Sequence, residues 1–150
     1  MIQNDMNNRK HLKFSSLAIL ALAGLSLINI VSELLFGELN SAEIPDGSPN
    51  NIILITKIVL MVVSLLCLLP QVYIGIKGLK VAKNPDSSKG HIVWGTVLLI
   101  FAIVGLISPL VAIIKQDAVF ANASELLSVA IEVAFFYDYV KYARVVANEN

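Results

Sequence analysis

The chain has 150 residues, of which 57% are hydrophobic, and its mean hydropathy is +0.77. This apolar fraction exceeds the roughly 45–50% of ordinary soluble domains and favours a single domain of membrane-spanning helices. Lysine plus arginine and aspartate plus glutamate number 11 each, so the net charge gives no support to nucleic acid or another polyanion as a partner. The single cysteine, Cys67, excludes an intrachain disulfide and a CxxC redox motif.

Four long apolar segments follow one another along the chain. A helix crosses the ~30 Å hydrocarbon core of a bilayer with about 20 mostly apolar residues. The segments that meet this requirement are residues 14–36, 52–76, 92–114 and 119–140, numbered here as segments 1 to 4. The sequence therefore predicts an all-α fold, an integral membrane four-helix bundle made of two hairpins.

Segments 1 and 4 each leave an alternative open. A basic start before an apolar run also occurs in signal peptides, but the run in segment 1 is longer than their about 7–15 residues, so an uncleaved first helix is expected. Segment 4 contains Glu125, Glu132 and Asp138 and could lie flat on the membrane as an amphipathic helix. Insertion is favoured, because these polar residues form a stripe that a bundle interior can cover.

Basic residues concentrate on one side of the four segments. They are Arg9, Lys10, Lys13, Lys77, Lys80, Lys83, Lys89, Lys141 and Arg144. By the positive-inside rule, both termini and the connection 77–91 are predicted to be cytoplasmic, and residues 37–51 and 115–118 to be outer loops. The expected location is the cell (cytoplasmic) membrane, with a multi-pass topology.

The lipid bilayer is the first expected partner. Lys77, Lys80 and Lys83 are predicted to contact anionic lipid head groups on the cytoplasmic side. Aromatic residues near the segment ends are expected to anchor the helices at the membrane interface. These aromatic residues are Tyr73, Trp94, Tyr137 and Tyr139.

Prolines and polar residues predict where the helices bend and end. Segment 2 is expected to continue as a basic helical turn to about Lys83, where Asn84-Pro85-Asp86 stops it. Pro70 and Pro109 should each kink their helix, because a proline frees the carbonyl of the residue about one turn before it.

Each segment also carries polar or small residues on one face. On segment 2, Lys57, Ser64 and Gln71 recur every seven residues, which keeps them within about 40° of one another. The corresponding sets are Ser26, Asn29 and Glu33 on segment 1, Ala102, Gly105, Ser108 and Ala112 on segment 3, and Glu125, Ser128, Glu132 and Tyr139 on segment 4. The sequence thus predicts a bundle with a polar interior and a lipid-facing apolar outside.

Depth divides the charged residues of the segments into two groups. At a rise of 1.5 Å per residue, Glu33, Lys57 and Glu125 fall roughly 4–10 Å from the outer boundary. An outer ion-pair cluster is therefore predicted, in which Lys57 pairs with Glu33 or Glu125.

Glu132 lies deeper, about 20 Å from the outer boundary and level with Ser64, with no basic residue at its depth. A charged carboxylate there costs about 2.5–3.5 kcal/mol or more, so it should protonate or face water. In one interpretation it exchanges a proton or cation, or binds a ligand, together with Glu125, Ser64 and Asn29. In the other, a neutral Glu132 donates a structural hydrogen bond across the bundle.

The sequence contains no GxSxG, HExxH, Walker or Rossmann pattern, and no enzymatic activity or cofactor is predicted. No metal site is predicted either, because His11 and His91 lack nearby cysteine or carboxylate partners. The tetraspan layout is similar to that of tetraspanins and small multidrug transporters. However, the large cysteine-rich loop of the first and the deep first-helix glutamate of the second are both missing here, so neither family is assigned.

The sequence therefore favours a small polytopic membrane protein that acts as an accessory or self-associating subunit, in a homo-oligomer or a larger membrane complex. The alternative is a small proton- or cation-coupled transporter that uses the intramembrane carboxylate of Glu132 on the fourth helix.

Overall fold

The computed structural model describes residues 2–36, 50–84, 89–115 and 119–148. These residues form five helices and no strand, which confirms the all-α prediction for this part of the chain. The helices are α1 (Ile2–Phe36), α2 (Asn50–Lys83), α3 (Gly90–Gly105), α4 (Ile107–Ile114) and α5 (Val119–Ala147).

Three stretches of the described helices are long and apolar enough to cross a membrane. They are Asp5–Ser32, Met61–Lys83 and Gly90–Ile114. The length and apolar character predicted for segments 1 to 3 are thereby confirmed. Within the described residues of α5 no such stretch is found, and the insertion of this helix stays a prediction.

The end of α2 lies where its sequence predicts it. The helix ends at Lys83, and the next backbone N–H, that of Asn84, donates to the carbonyl of Lys80 at 2.9 Å. Pro70 lies inside α2 without ending the helix. The basic turn therefore extends the helix continuously beyond segment 2.

A one-residue interruption at Leu106 separates α3 from α4. Leu106 keeps right-handed helical angles, with φ −66° and ψ −22°, while its N–H bonds to the carbonyl of Ile103 at 3.2 Å. Pro109 accounts for this change, because it lacks the N–H that would bond to the carbonyl of Gly105. The interruption lies about one turn before Pro109, while the kink itself stays a prediction. Helices α3 and α4 form one nearly continuous rod, called the α3–α4 rod below.

Four rods form the bundle, and each is antiparallel to its neighbours. Helix α1 packs against α2 and α5, while the α3–α4 rod packs against α5 and α2 on the opposite corner. The direction follows from paired positions: Gly75 of α2 adjoins Leu20 of α1, whereas the later Gly78 adjoins the earlier Ser16. Short connections between consecutive helices favour this up-and-down order.

Most buried side chains lie at one end of the bundle, around the predicted cytoplasmic boundary. They are Leu12, Ser15, Ser16, Ile19, Ile74, Val81, His91, Ile92, Phe136, Tyr139, Val140, Ala143 and Val146. We call this region the inner end. Toward the opposite, outer end, large apolar side chains on every helix are exposed, as a lipid-facing surface requires.

The lengths of the helices explain this uneven packing. Helix α1 has 35 residues and is about 52 Å long, well beyond the ~30 Å thickness of a bilayer's hydrocarbon core. Leu12, Val81 and Val146 lie outside the predicted segments and are nevertheless buried. Water beside these extensions drives apolar burial, whereas lipid tails give helices no comparable reason to close together.

Two glycines bring the helices of the inner end into close contact. A Cβ atom added at Gly78 would collide with Oγ of Ser16 and with the ring of Tyr139. A Cβ atom at Gly95 would lie 2.9 Å from the Tyr139 ring. The Tyr139 ring therefore fits between α2 and α3 only because neither helix presents a side chain there.

We expect Gly95→Ala to lower the free energy of unfolding by about 1–3 kcal/mol, because the new methyl group overpacks the Tyr139 ring. Gly24→Ala is the matched control, since nothing lies within 4 Å of a Cβ atom added there. The control should be neutral or slightly stabilising, given that alanine favours a helix by about 0.8–1 kcal/mol over glycine. Unfolding in mild detergent, followed by circular dichroism, measures both. Equal stabilities for the two variants would contradict the tight packing at Gly95.

Candidate functional site

Four polar side chains are buried together at the inner end of the bundle. Ser15 and Ser16 come from α1, His91 from the first turn of α3, and Tyr139 from α5, and each is at most 1% exposed. We call these residues the buried polar cluster. Since a buried polar group costs free energy unless it is hydrogen-bonded, each of the four requires a physical account.

The two serines are satisfied within α1 itself. The Ser16 hydroxyl donates to the carbonyl of Leu12 at 2.6 Å, and the Ser15 hydroxyl lies 3.1 Å from the carbonyl of His11 and 3.2 Å from that of Leu12. Such bonds to the preceding turn let a small polar residue face another helix without needing a partner there. Ser15 and Ser16 therefore act as small packing residues.

The Tyr139 hydroxyl has a different environment. Its ring lies between Gly78 and Gly95 and meets the ring of His91 edge-on, with 6.3 Å between centroids and an angle of 83°. That geometry is favourable for the two rings. The hydroxyl, however, is buried with no hydrogen-bond partner among the described residues. Packing accounts for the ring of Tyr139 and leaves its hydroxyl unexplained.

Aromatic contacts at the surface hold α1 to α5 beside the buried polar cluster. His11 stacks on Tyr142 with 4.6 Å between centroids, and Lys141 Nζ lies 5.2 Å from the centroid of the Tyr142 ring. One turn further along α1, Phe14 meets Phe135 at 6.1 Å. These contacts fix α5 against α1 at the inner end.

One sequence prediction about Tyr139 is wrong. An interfacial anchor has to reach the membrane surface, and Tyr139 is fully buried inside the bundle. Tyr73, Trp94 and Tyr137 are 44%, 48% and 56% exposed, and their interfacial role stays a prediction. The sequence signal for the burial of Tyr139 was its position, seven residues after Glu132 on the predicted polar stripe of segment 4.

The predicted candidate residues become more exposed with distance from the buried polar cluster. On α5, Tyr139 is buried, Glu132 is half-buried and Glu125 is exposed, although seven-residue spacing places the three within about 40°. Ser64 on α2 is half-buried, and Asn29 on α1 is exposed. These polar stripes are therefore buried at the inner end of the bundle and exposed toward the outer end.

Of the predicted outer ion-pair cluster, the structure describes only the side chain of Glu125. Glu125 is exposed on α5. The side chains of Glu33 and Lys57 lie outside the described residues, so the pairing of Lys57 with either acid stays a prediction.

A surface groove of about 470 Å³ lies between α3 and α5 at the inner end. Its lining consists of Lys89, Ile92, Val93, Thr96, Val97, Arg144, Ala147 and Asn148. Arg144 Nη2 donates to Thr96 Oγ1 at 3.4 Å, and the Thr96 hydroxyl donates to the carbonyl of Ile92 at 2.8 Å. Sequence reasoning missed this groove, because Lys89 before α3 and Arg144 on α5 are distant in the sequence and become neighbours only when the helices pack.

We expect Tyr139→Phe to keep or raise the free energy of unfolding, because it retains the ring and removes a hydroxyl without a partner. Tyr139→Ala should lower the free energy of unfolding by about 3–5 kcal/mol through the cavity that it leaves. Unfolding in detergent, compared with the natural chain, measures both effects. A loss of 1 kcal/mol or more in Tyr139→Phe would show that the hydroxyl is hydrogen-bonded in the folded protein.

Comparison of the chain with protein-family models, with curated proteins and with solved structures found no match. The function is therefore argued from the residues of this chain alone. Among the described residues, two accessible features serve that purpose, the exposed polar residues of the outer end and the groove between α3 and α5.

Proposed function

We propose that the chain is a small, non-enzymatic, multi-pass membrane protein that acts as an accessory or self-associating subunit. In this proposal, a second copy of the chain covers polar residues that α1 and α5 leave exposed. The observation that carries the proposal is the exposure of Asn29, Glu125 and Ser128 in segments expected to lie within the bilayer. We call these three residues the outer α1–α5 face.

Helical periodicity places this face on the line where α1 meets α5. Asn29 follows His11 by 18 residues, or five full turns, and therefore lies on the side of α1 that stacks on Tyr142. Ser128 precedes Tyr142 by 14 residues and lies within about 40° of it. The two helices contact each other along this line at the inner end, whereas their polar side chains toward the outer end are exposed.

The energetics of a bilayer favour covering such residues. A side-chain hydrogen bond between membrane helices contributes about 0.6 kcal/mol on average and up to about 1.7 kcal/mol. A carboxylate such as Glu125 gains further when a polar neighbour replaces lipid. Two copies related by a twofold axis would bring the same patch of each together and satisfy both at once.

The packing of α5 supports a fourth crossing. Helix α5 packs against α1 and against the α3–α4 rod, and both of those elements contain stretches long and apolar enough to span a membrane. A helix that lies antiparallel beside two spanning helices follows them through the same thickness. We therefore propose four crossings, which with the positive-inside rule place both termini and residues 77–91 on the cytoplasmic side of the cell membrane.

Cross-linking tests the proposed contact between copies. In a Cys67→Ser background, Asn29→Cys should form disulfide-linked dimers in oxidised native membranes, because two copies meet at the outer α1–α5 face. The control is Leu66→Cys, which is exposed on α2 at about the same depth and should stay monomeric. Gel electrophoresis without reductant measures the dimer. Equal cross-linking at both positions, or none at Asn29→Cys, would reject this face as the contact.

A second candidate function is favoured by the position of Glu132. Its carboxylate is half-buried on α5, between the closed region around Tyr139 and the exposed Glu125. A group in that position can be reached from the outer end while the inner end stays closed, as a proton- or cation-coupled transporter needs. Such a transporter would require Glu132 to gain and lose charge during work.

In vesicles that hold a pH dye, a transporter should give proton flux that Glu132→Gln abolishes while the variant remains folded and inserted. A structural role predicts instead that Glu132→Gln, which keeps the hydrogen-bonding shape, leaves stability nearly unchanged and that Glu132→Leu lowers it mildly. Vesicles without protein provide the baseline. Flux above that baseline that survives in Glu132→Gln would exclude Glu132 as the working carboxylate.

A further inference from the structure

The groove between α3 and α5 combines two cations with an apolar wall. Lys89 precedes the first residue of α3, and Arg144 lies in the last turns of α5. Ile92, Val93 and Val97 form the apolar side of the groove. Among the described lining residues there is no acidic side chain, so the groove complements a molecule with a negative head and an apolar body.

The depth of the groove matches the head-group layer of a bilayer. Thr96 lies about four residues, or 6 Å, inside the predicted inner boundary, while Arg144 lies about the same distance outside it. The hydrogen bond from Arg144 Nη2 to Thr96 Oγ1 draws the guanidinium group toward the boundary from the outside. Positive charge is thereby held where lipid phosphates lie, directly above an apolar surface.

Arg144 keeps donors for a ligand in this position. A guanidinium group has five N–H donors, and the bond to Thr96 uses one of them. Arginine binds phosphate oxygens with paired, parallel N–H bonds, and the ammonium group of Lys89 adds a second positive charge at the same rim. A phosphodiester group is the anion that this arrangement fits.

We propose that this groove binds one anionic phospholipid of the cytoplasmic leaflet, with its phosphate held by Arg144 and Lys89 and its acyl chains lying along Val93 and Val97. The inference rests on the proposed membrane orientation. It differs from the expected lipid contacts of Lys77, Lys80 and Lys83, which all belong to α2 and do not line the groove. A groove between two helices holds a single lipid in place, whereas exposed lysines attract the anionic leaflet as a whole.

Trp94 provides the probe, since it is the only tryptophan of the chain, is 48% exposed and follows Val93 directly. The full chain is reconstituted in phosphatidylcholine vesicles to which phosphatidylglycerol or phosphatidylcholine with brominated acyl chains is added. Bromine quenches tryptophan fluorescence on contact. Brominated phosphatidylglycerol should quench Trp94 at a mole fraction at least about fivefold lower than brominated phosphatidylcholine does. One cation near a membrane surface is expected to give a preference of this size.

Arg144→Gln should lower this preference about fivefold, while Lys13→Gln, which removes the same charge from an exposed position on α1 away from the groove, should leave it unchanged. Equal quenching by the two lipids, or equal losses in the two variants, would overturn the groove and leave the protein in the bilayer. No quenching by either lipid would overturn the proposed membrane insertion at Trp94 together with it. Soluble glycerol phosphate should not relieve the quenching, and relief would assign the groove to a free phosphate ester.

Discussion

The contact of the Tyr139 ring with Gly78 and Gly95 determines the architecture of the bundle. It joins α5 to α2 and α3 at one point, and Ser16 of α1 lies against Gly78 at the same level. A side chain at either glycine would separate the helices, and a smaller residue at position 139 would leave a hole between them. The aromatic contacts of α1 with α5 and the groove between α3 and α5 both adjoin this contact, so their geometry depends on it.

Around this contact the bundle divides into two physical regimes. At the inner end, water meets the helix extensions, and burial of residues such as Leu12 and Val146 stabilises the packing. In the proposed bilayer region, helix association depends on van der Waals contact and polar interactions. The outer α1–α5 face is exposed there. A bundle that is tightly packed at one end and exposed at the other has a stable framework and still offers polar groups for association.

Local chemistry made much of the fold predictable from the sequence. Hydrophobic length gave segments 1 to 3, Asn84-Pro85 gave the end of α2, and Pro109 gave the interruption at Leu106. Periodicity also placed Tyr139 on the same face as Glu132. The same stripe assigned Tyr139 to the bundle interior, but tyrosine is also common at membrane interfaces. The glycines of α2 and α3 that receive its ring were missed, because they belong to other helices. The cationic groove was missed for the same reason: Lys89 and Arg144 become neighbours only when α3 and α5 pack.

The outer α1–α5 face and the groove between α3 and α5 both include residues of α5. A helix that had only to cross a bilayer would be as apolar as α3. Helix α5 instead packs apolar residues against its neighbours and carries polar residues toward both of its ends. Glu125 and Ser128 lie toward the outer end and Arg144 at the inner end, while the segment around Phe136 and Tyr139 between them is buried. The cost of polar residues in lipid is acceptable for such a helix if its neighbours supply the apolar contact and a partner covers the rest. In the proposed topology of four crossings, α5 therefore depends on the bundle for its insertion, and the bundle in turn depends on α5 for its polar surface.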